Sequence, residues 1–309
     1  MKNVLEINNV TKNYGDFRAL NNVSIHIPKG SVYGLLGPNG AGKTSLIRII
    51  NQITMADSGT VFLDGELLAP KHTADIGYMP EERGLYKSMK VGEQALYLAQ
   101  LKGLSKSEAK KRLNYWFEKF DIMAWWNKKI EELSKGMAQK VQFIVTVMHN
   151  PKLLIFDEPF SGFDPINAQI IAKEILQLRD EGVTIIFSTH RMESVEEMCD
   201  EIALIDKSNK ILDGTLNAIK NEFRTNTFQI GVQTENPKEL EAILKENFEV
   251  FPSDFKLLGN EFTTNIKLGA TTTANDLLSL LASKGQVQHF VELIPSANDI
   301  FIQAVHKNQ

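Results

Sequence analysis

The feature that most constrains this chain is a short stretch, residues 37–44, with the sequence Gly-Pro-Asn-Gly-Ala-Gly-Lys-Thr. It follows an apolar run at residues 32–36 and precedes a helical pattern at residues 45–50. A strand, a glycine-rich loop and a helix in this order bind phosphate, because glycine lets backbone N–H groups turn inward around the oxygens. The sequence therefore predicts an α/β fold in which this segment, the P-loop, binds the phosphates of a nucleotide.

Two side chains of the P-loop have predicted roles. Lys43 is expected to reach the β- and γ-phosphates, and the Thr44 hydroxyl to bind a Mg²⁺ ion that bridges them. The following helix directs the positive end of its dipole toward the same phosphates. The alternative is a glycine turn with a chance Lys-Thr pair, and the flanking strand and helix argue against it.

The composition limits what else the chain can be. Its 309 residues suit two domains, and its net charge of −4 gives no general affinity for nucleic acid, so no nucleic-acid partner is expected. Cys199 is the single cysteine, which excludes an internal disulfide and a cysteine-based metal site. No apolar run approaches the ~20 residues that cross a bilayer, and the N-terminus does not resemble a secretory signal. We therefore expect any membrane-spanning part to come from another protein.

Apolar runs predict the strands of the first domain. Residues 5–10 and 23–27 alternate between polar and apolar, so we expect two antiparallel strands there. Residues 57–60 (Asp-Ser-Gly-Thr) are expected to end the helix that follows the P-loop. Runs that are mainly apolar, which are typical of buried parallel strands, occur at residues 153–156, 183–188 and 201–206.

A helical insert is predicted between two of these strands, at about residues 86–149, where apolar residues recur at helical spacing. Trp125 and Trp126 lie in this insert, and we interpret them as its core or exposed rim rather than as a cofactor site. Ser134 precedes the last helix of the insert, and the start of that helix is a second candidate anion site.

Two carboxylates follow one of the buried strands. Asp157 and Glu158 come at the end of the run at residues 153–156, and His190 follows the run at residues 183–188. Ligands bind at the carboxyl edge of open α/β sheets, so these side chains are expected near the P-loop. Asp157 would hold Mg²⁺ through its water shell, Glu158 would take a proton from an attacking water, and His190 would hold the γ-phosphate. Together they predict a nucleotide hydrolase, although a lone histidine is also commonly a core residue.

The pattern of apolar and polar residues changes near Thr225. From there, strand-like and helix-like segments follow each other in the order βαββαβ, which is the ferredoxin-like pattern of a small α+β domain. We therefore place the first domain at residues 1–222 and a C-terminal accessory domain at residues 225–309. The second domain shows no recognisable catalytic group of residues.

Over roughly residues 4–220 these motifs resemble the ATP-binding cassette ATPases. The P-loop matches the Walker A loop of that family, and residues 153–158 match its Walker B strand with the catalytic glutamate. Residues 161–164 look like the D-loop, and residues 133–137 (Leu-Ser-Lys-Gly-Met) stand in the place of the Leu-Ser-Gly-Gly-Gln signature. His190 looks like the switch histidine. The resemblance implies a P-loop NTPase fold of the cassette type with a helical subdomain.

The resemblance also implies a role for each matching residue. Tyr14 falls where the family stacks adenine, although its local sequence fits a half-buried turn aromatic equally well. The implied catalytic residues are Glu158, His190, Lys43, Glu81 and Asp164. The implied nucleotide-binding residues are Tyr14, Gly37, Pro38, Asn39, Gly40, Ala41, Gly42, Lys43, Thr44, Ser45, Ser134 and Gly136. The implied Mg²⁺ ligands are Thr44, Glu81 and Asp157.

The mechanism that the resemblance implies uses two copies of the chain. The signature of one copy closes over the ATP held by the P-loop of the other, so that Ser134 and the Gly136 N–H act on the nucleotide of the partner. ATP binding forms this homodimer, hydrolysis releases it, and the helical insert passes the motion to integral membrane permease subunits at the cytoplasmic face of the cell membrane. Residues 77–86 and the C-terminal domain look like those of drug- and sodium-export ATPases.

Three positions depart from the family pattern. Glu81 stands where the family usually has the Q-loop glutamine, so it keeps an oxygen ligand for Mg²⁺ but loses the amide donor. Met137 replaces the last glutamine of the signature and cannot hydrogen-bond a ribose. Lys135 replaces a signature glycine, which adds positive charge near the phosphates of the partner.

Three other classes of protein fit the sequence less well. A cassette ATPase of DNA repair or chromosome structure would place a long coiled coil or extra domains between P-loop and signature, but this insert is short. A translation-factor cassette would carry two P-loops, and one is present here. A binding module that retains ATP without hydrolysing it would be expected to lack the base, whereas Glu158 and His190 are both present.

Overall fold

The structure is a computed structural model that describes residues 2–82, 84–255, 261–269 and 271–308. The strands are β1 (Asn3–Tyr14), β2 (Phe17–Pro28), β3 (Val32–Leu36), β4 (Ser58–Leu63), β5 (Glu66–Leu67), β6 (Ile76–Met79), β7 (Leu153–Asp157), β8 (Thr184–Ser188), β9 (Glu201–Asp206), β10 (Asn209–Thr215), β11 (Thr227–Gln233), β12 (Glu249–Phe251), β13 (Phe262–Lys267) and β14 (Gln286–Glu292). The helices are α1 (Lys43–Ile50), α2 (Val91–Leu101), α3 (Lys106–Lys119), α4 (Lys135–Val147), α5 (Pro165–Asp180), α6 (Met192–Met198), α7 (Leu216–Glu222), α8 (Pro237–Asn247), α9 (Ala274–Lys284) and α10 (Ala297–Lys307).

The chain forms two compact units, Met1–Leu216 with Phe301–Gln309, and Asn217–Ile300. In the first unit, described residues form a six-stranded sheet in the order β10-β9-β3-β8-β7-β6. Its inner pairs are parallel, and β10 pairs antiparallel with β9. The buried parallel strands predicted from the apolar runs are therefore confirmed: β8 and β9 pair with β3, and β7 pairs with β8.

A second, antiparallel sheet of the first unit has the order β2-β1-β4-β5. The expected antiparallel pair is β1 with β2, in which Ile7 lies opposite Ile25. The expected end of the helix after the P-loop is wrong. Helix α1 ends at Ile50, and Ser58 already begins β4, because Asp57 joins this sheet by accepting from the Asn13 N–H at 2.6 Å.

The helical insert consists of α2, α3 and α4, with short 3₁₀ turns at Met123–Trp125 and Ile130–Glu132. Trp126 belongs to its core, as one of the two interpretations expected. A Cβ built on Gly92 of α2 would lie 2.2 Å from the indole of Trp126, and the Trp126 ring meets Phe117 of α3 edge-on at 5.3 Å. The described part of the chain contains no helix long and apolar enough to cross a membrane.

The second unit confirms the βαββαβ order with β11, α8, β12, β13, α9 and β14. Its antiparallel sheet has the order β12-β13-β11-β14, the arrangement of a ferredoxin-like fold. Apolar side chains from one face of the sheet pack against both helices, and Ile230, Leu240, Ile266, Leu277 and Leu281 are buried there. This unit therefore has a core of its own.

Candidate nucleotide site

The P-loop connects the fully buried strand β3 to α1. Two of its glycines cannot be replaced without moving the backbone. A Cβ on Gly37 (φ +148°) would lie 2.1 Å from the Ile205 carbonyl oxygen, and one on Gly42 (φ +119°) 2.3 Å from that of Ala19. The loop is thus pressed against β9 on one side and β2 on the other, and its residues lead directly into the N-terminus of α1.

Lys43 is the first residue of α1, and its side chain folds back over the loop. Its Nζ donates to the carbonyls of Gly37 at 2.7 Å and Pro38 at 3.1 Å. Burial lowers the pKa of Lys43, while the charges of the nearby carboxylates, Asp157 foremost, act against this change. The predicted phosphate-binding cation therefore faces the acids at the edge of the sheet.

Asp157 and Glu158 lie where β7 ends, one strand away from β3. Asp157 pairs in register with Ser188 of β8, and Ser188 in turn pairs with Leu35 of β3, just before the P-loop. Burial raises the pKa of Asp157, and the charges of Glu81 and Glu158 act in the same direction. The sheet therefore brings Lys43 and the predicted acids together, as the strand order requires.

The Glu158 carboxylate is held by three donors from the segment after β8. Its Oε1 accepts from the His190 backbone N–H at 2.7 Å and lies 2.6 Å from His190 Nδ1. Its Oε2 accepts from the Thr189 hydroxyl at 3.1 Å. Thr189 is buried, whereas the His190 side chain is 72% exposed. The pair predicted from sequence is thus in contact, with one edge of the imidazole facing outward.

Thr189 contacts Glu158 in the candidate site, although no sequence motif marks it. The available signal was its place directly before His190 at the end of an apolar strand. Glu158 itself has a φ of +50°, an uncommon backbone conformation for this residue type, and its N–H donates to the Ser188 carbonyl at 2.8 Å. This local geometry turns the Glu158 side chain toward Thr189 and His190.

The predicted Mg²⁺ ligands form an oxygen donor set. Thr44 contributes a hydroxyl at the start of α1, and Asp157 and the exposed Glu81 contribute carboxylates whose charges act on one another. Among described residues, no group of three or more His, Cys, Asp or Glu side chains is placed to hold a metal by itself. These residues fit Mg²⁺, which proteins commonly bind through one or two carboxylates together with substrate phosphates and water.

The other predicted residues lie in separate places. Ser134 caps α4, with its hydroxyl accepting from the Met137 N–H at 3.3 Å, and Gly136 lies beside the carbonyl of Gly162. Asp164 caps α5 by accepting from the Asn167 N–H at 2.9 Å. Tyr14 is 44% exposed at the end of β1, where the ammonium of Lys12 lies 5.5 Å from its ring centroid.

Comparison with known families and proteins gives a consistent result. A family model described as "ABC transporter" matches residues 20–161, and a model described as "ATP-binding protein DrrA1-3-like, C-terminal domain" matches residues 214–305. Among similar solved structures, one titled as the ATP binding subunit of an ABC transporter is 29% identical with a TM-score of 0.67, covering 71% of this chain and 93% of that one. Another, cbiO1 from Clostridium perfringens, part of the ABC transporter complex cbiONQ, is 27% identical with a TM-score of 0.64, covering 72% and 92%.

Curated relatives extend the similarity over nearly the whole chain. The uncharacterized ABC transporter ATP-binding protein YhaQ of Bacillus subtilis is 38% identical over 305 residues, which is 98% of each chain. The linearmycin resistance ATP-binding protein LnrL of the same species is 37% identical over 216 residues, covering 69% of each chain. We conclude from the P-loop, from the carboxylates at the end of β7 and from these similarities that the chain belongs to the ATP-binding proteins of ABC transporters, a family of ATPases.

Proposed function

We propose that this chain hydrolyses MgATP in sites shared by two copies and thereby drives export through separate integral membrane subunits. The observation that carries the proposal is the contact between Glu158 and His190 at the same sheet edge as Lys43 and Asp157. A base, an imidazole that contacts it, a phosphate-binding cation and a metal-binding acid together supply the chemistry of nucleotide hydrolysis.

Each residue then has a defined task. The P-loop N–H groups and Lys43 bind the phosphates, and Glu158 orients the attacking water and accepts its proton. Thr189 and His190 orient the Glu158 carboxylate through the hydrogen bonds described above. The outward edge of the exposed His190 side chain faces the γ-phosphate in this proposal. When bound at Thr44, Asp157 and Glu81, Mg²⁺ would neutralise charge on the phosphates.

The membrane partner is assigned to a groove between the sheet and the helical insert. This groove has a volume of about 370 Å³, and its apolar lining includes Leu85, Leu98, Leu101 and Val145. Leu101 is 65% exposed on the rim. We assign the groove to a short cytoplasmic helix of a permease subunit, because an exposed apolar groove marks a protein interaction site and ABC transporters contain membrane components. The chain would then lie at the cytoplasmic face of the membrane.

The direction of transport is proposed as export. Support comes from the linearmycin resistance relative, from the match of residues 214–305 to the DrrA1-3-like C-terminal domain, and from the lantibiotic transport protein SrtF of Streptococcus pyogenes, which is 34% identical over 210 residues.

The test is the rate of phosphate release from ATP by the wild type and by Glu158→Gln. Glutamine keeps the size of the side chain but cannot accept a proton, so we expect turnover to fall by ~10² to 10⁴ with nucleotide binding retained. Glu197→Gln, an exposed carboxylate of α6, is the matched control and should match the wild type. Glu158→Gln turnover within twofold of the wild type would remove Glu158 as the base.

A further inference from the structure

Lys135, which stands in place of a signature glycine, lies against the D-loop of its own chain. A Cβ built on Gly162 would be only 2.4, 2.5 and 2.7 Å from Cε, Cδ and Cγ of Lys135. The alkyl stem of the lysine therefore passes directly over the Gly162 backbone, which has a φ of +90°. The ammonium ends 3.5 Å from the Ser161 hydroxyl, at the limit of a hydrogen bond.

The start of α4 makes one further contact with this loop and approaches it closely at another point. Gln139, one helical turn after Lys135 and 2% exposed, donates from Nε2 to the Pro159 carbonyl at 3.4 Å. At Gly136, a Cβ would lie 3.5 Å from the Gly162 carbonyl oxygen. The start of α4 thus contacts residues 159–162 through Lys135 and Gln139 and leaves little space between Gly136 and Gly162.

These residues are connected to Glu158 by two tight turns. The Ser161 N–H donates to the Glu158 carbonyl at 3.0 Å, and the Phe163 N–H donates to the Phe160 carbonyl at 3.2 Å. Phe160 is buried and packs on Phe187 of β8 at 5.6 Å between ring centroids. Because hydrogen bonds hold both turns, a displacement of Gly162 should also displace the Glu158 backbone, which is only a few residues away.

We propose that Lys135 is a positioning residue for ATP hydrolysis: its alkyl stem, packed on Gly162, fixes residues 158–163 relative to the signature segment of the same chain. The inference rests on the proposed role of Glu158 as the base. It assigns the effect to the stem rather than to the charge, because the stem is in close contact while the ammonium makes one long contact.

Two variants separate stem from charge. Lys135→Ala removes the stem and keeps a good helix former at the first position of α4, whereas Lys135→Met keeps an unbranched stem without the charge. We expect Lys135→Ala to lower kcat about tenfold, because small displacements of a catalytic group are costly, with KM for ATP within twofold of wild type. Lys135→Met should restore kcat to within twofold of wild type. Equal losses in both variants would assign the effect to the charge and overturn the proposal, as would an unchanged kcat in Lys135→Ala.

A double-mutant cycle tests the contact itself. Gly162→Ala places a methyl group where the lysine stem lies and also strains a backbone with positive φ. In the Lys135→Ala background, the new methyl group no longer clashes with the lysine stem, and only the backbone strain remains. Gly162→Ala should therefore lower kcat by a smaller factor in this background than in the wild type. If Gly162→Ala lowered kcat by the same factor in both backgrounds, the two residues would act independently, which would contradict a direct contact.

Hydrogen exchange provides a readout that does not depend on activity. The amides of Ser161 and Phe163 should exchange several-fold faster in Lys135→Ala than in the wild type, because the loop loses its cover, and Lys135→Met should restore slow exchange. Identical exchange in all three proteins would overturn the proposal. If instead the wild type itself released no phosphate from ATP, the proposed function would fail while the exchange comparison still decided the contact.

Discussion

Glu81 is the residue at which this chain differs most in chemistry from the family pattern. It is exposed on the loop after β6, and its charge adds to the influence of burial that raises the pKa of Asp157. Glutamine at this position could donate as well as accept hydrogen bonds, but an ionised carboxylate only accepts and adds negative charge beside Asp157 and Glu158. Such a cluster requires a cation to offset its repulsion when phosphates bind.

We therefore expect ATPase activity to depend more steeply on free Mg²⁺ in the wild type than in Glu81→Gln. The measurement is the initial ATPase rate against free Mg²⁺ at saturating ATP, with Glu82→Gln as the control, since Glu82 is the exposed neighbour in the chain. The control should follow the wild type. Superimposable curves for wild type and Glu81→Gln would show that Glu81 does not act on the metal site.

At the scale of residues, the sequence predicted those whose chemistry is carried by a motif. Lys43, Asp157, Glu158 and His190 follow strands that must end at one sheet edge, so their meeting could be expected. The stem of Lys135 over Gly162 could not be, because it depends on a side-chain rotamer and on how α4 packs against a distant loop. The sequence shows the charge of Lys135 but not the contact that its side chain makes.

At the scale of elements, His149 follows α4 and lies buried beneath the helical insert. Its Nε2 lies 3.3 Å from the Ile76 carbonyl oxygen at the start of β6. Burial lowers the pKa of His149 to about 4, and the charge of Lys102 acts in the same direction. The folded chain thus holds this histidine neutral at a pH where the unfolded chain protonates it.

This difference predicts how stability changes with pH. The folded pKa lies below the ordinary value of 6.5, so the contribution of His149 is complete above about pH 6.5 and is lost as the pH falls toward 4. The two pKa values differ by an amount worth about 3 kcal/mol at most. Between pH 7 and pH 5, the free energy of unfolding should therefore fall less in His149→Gln than in the wild type. The measurement is urea denaturation followed by tryptophan fluorescence.

The control is His26→Gln, because His26 is exposed on β2. It should lose stability between pH 7 and pH 5 as the wild type does. If His149→Gln also followed the wild type, His149 would have to be protonated in the folded chain, and its burial would not set its charge.

Element boundaries show why part of the fold escaped prediction. The order of strands and helices followed from local periodicity, including the βαββαβ order of the second unit. The end of α1 did not, because the sequence around Asp57 is typical of a helix end, whereas the Asp57 carboxylate accepts from Lys12 and Asn13 of β1. Those partners are distant in sequence, so no local pattern around Asp57 could reveal them.

At the scale of the whole molecule, we predict that a chain ending near Arg224 folds and binds ATP, since the second unit has its own core. Residues 301–309 cluster with the first unit, and Asn308 donates to the buried carboxylate of Asp206 at 2.9 Å. The shortened chain should therefore melt several degrees lower, because a lost hydrogen bond to a charged group costs about 1.5–3 kcal/mol.

Melting curves and ATP titrations of the wild type, the shortened chain and Asn308→Ala test this prediction. Asn308→Ala in the full chain should reproduce part of the loss in melting temperature without affecting ATP binding. An insoluble shortened chain, or one that no longer binds ATP, would mean that the first unit cannot fold without the rest.

We propose that two copies of the chain complete each other's ATP sites, with Ser134 of one copy acting on the nucleotide of the other. The most direct measurement is the mass of Glu158→Gln by light scattering with and without ATP, since blocked hydrolysis should preserve the ATP-bound state. We predict a doubling of mass on adding MgATP, which disappears when Ser134→Arg is also present because the bulky cation blocks the start of α4. A mass that stays at that of one chain while ATP is bound, or a dimer that survives Ser134→Arg, would contradict the shared site.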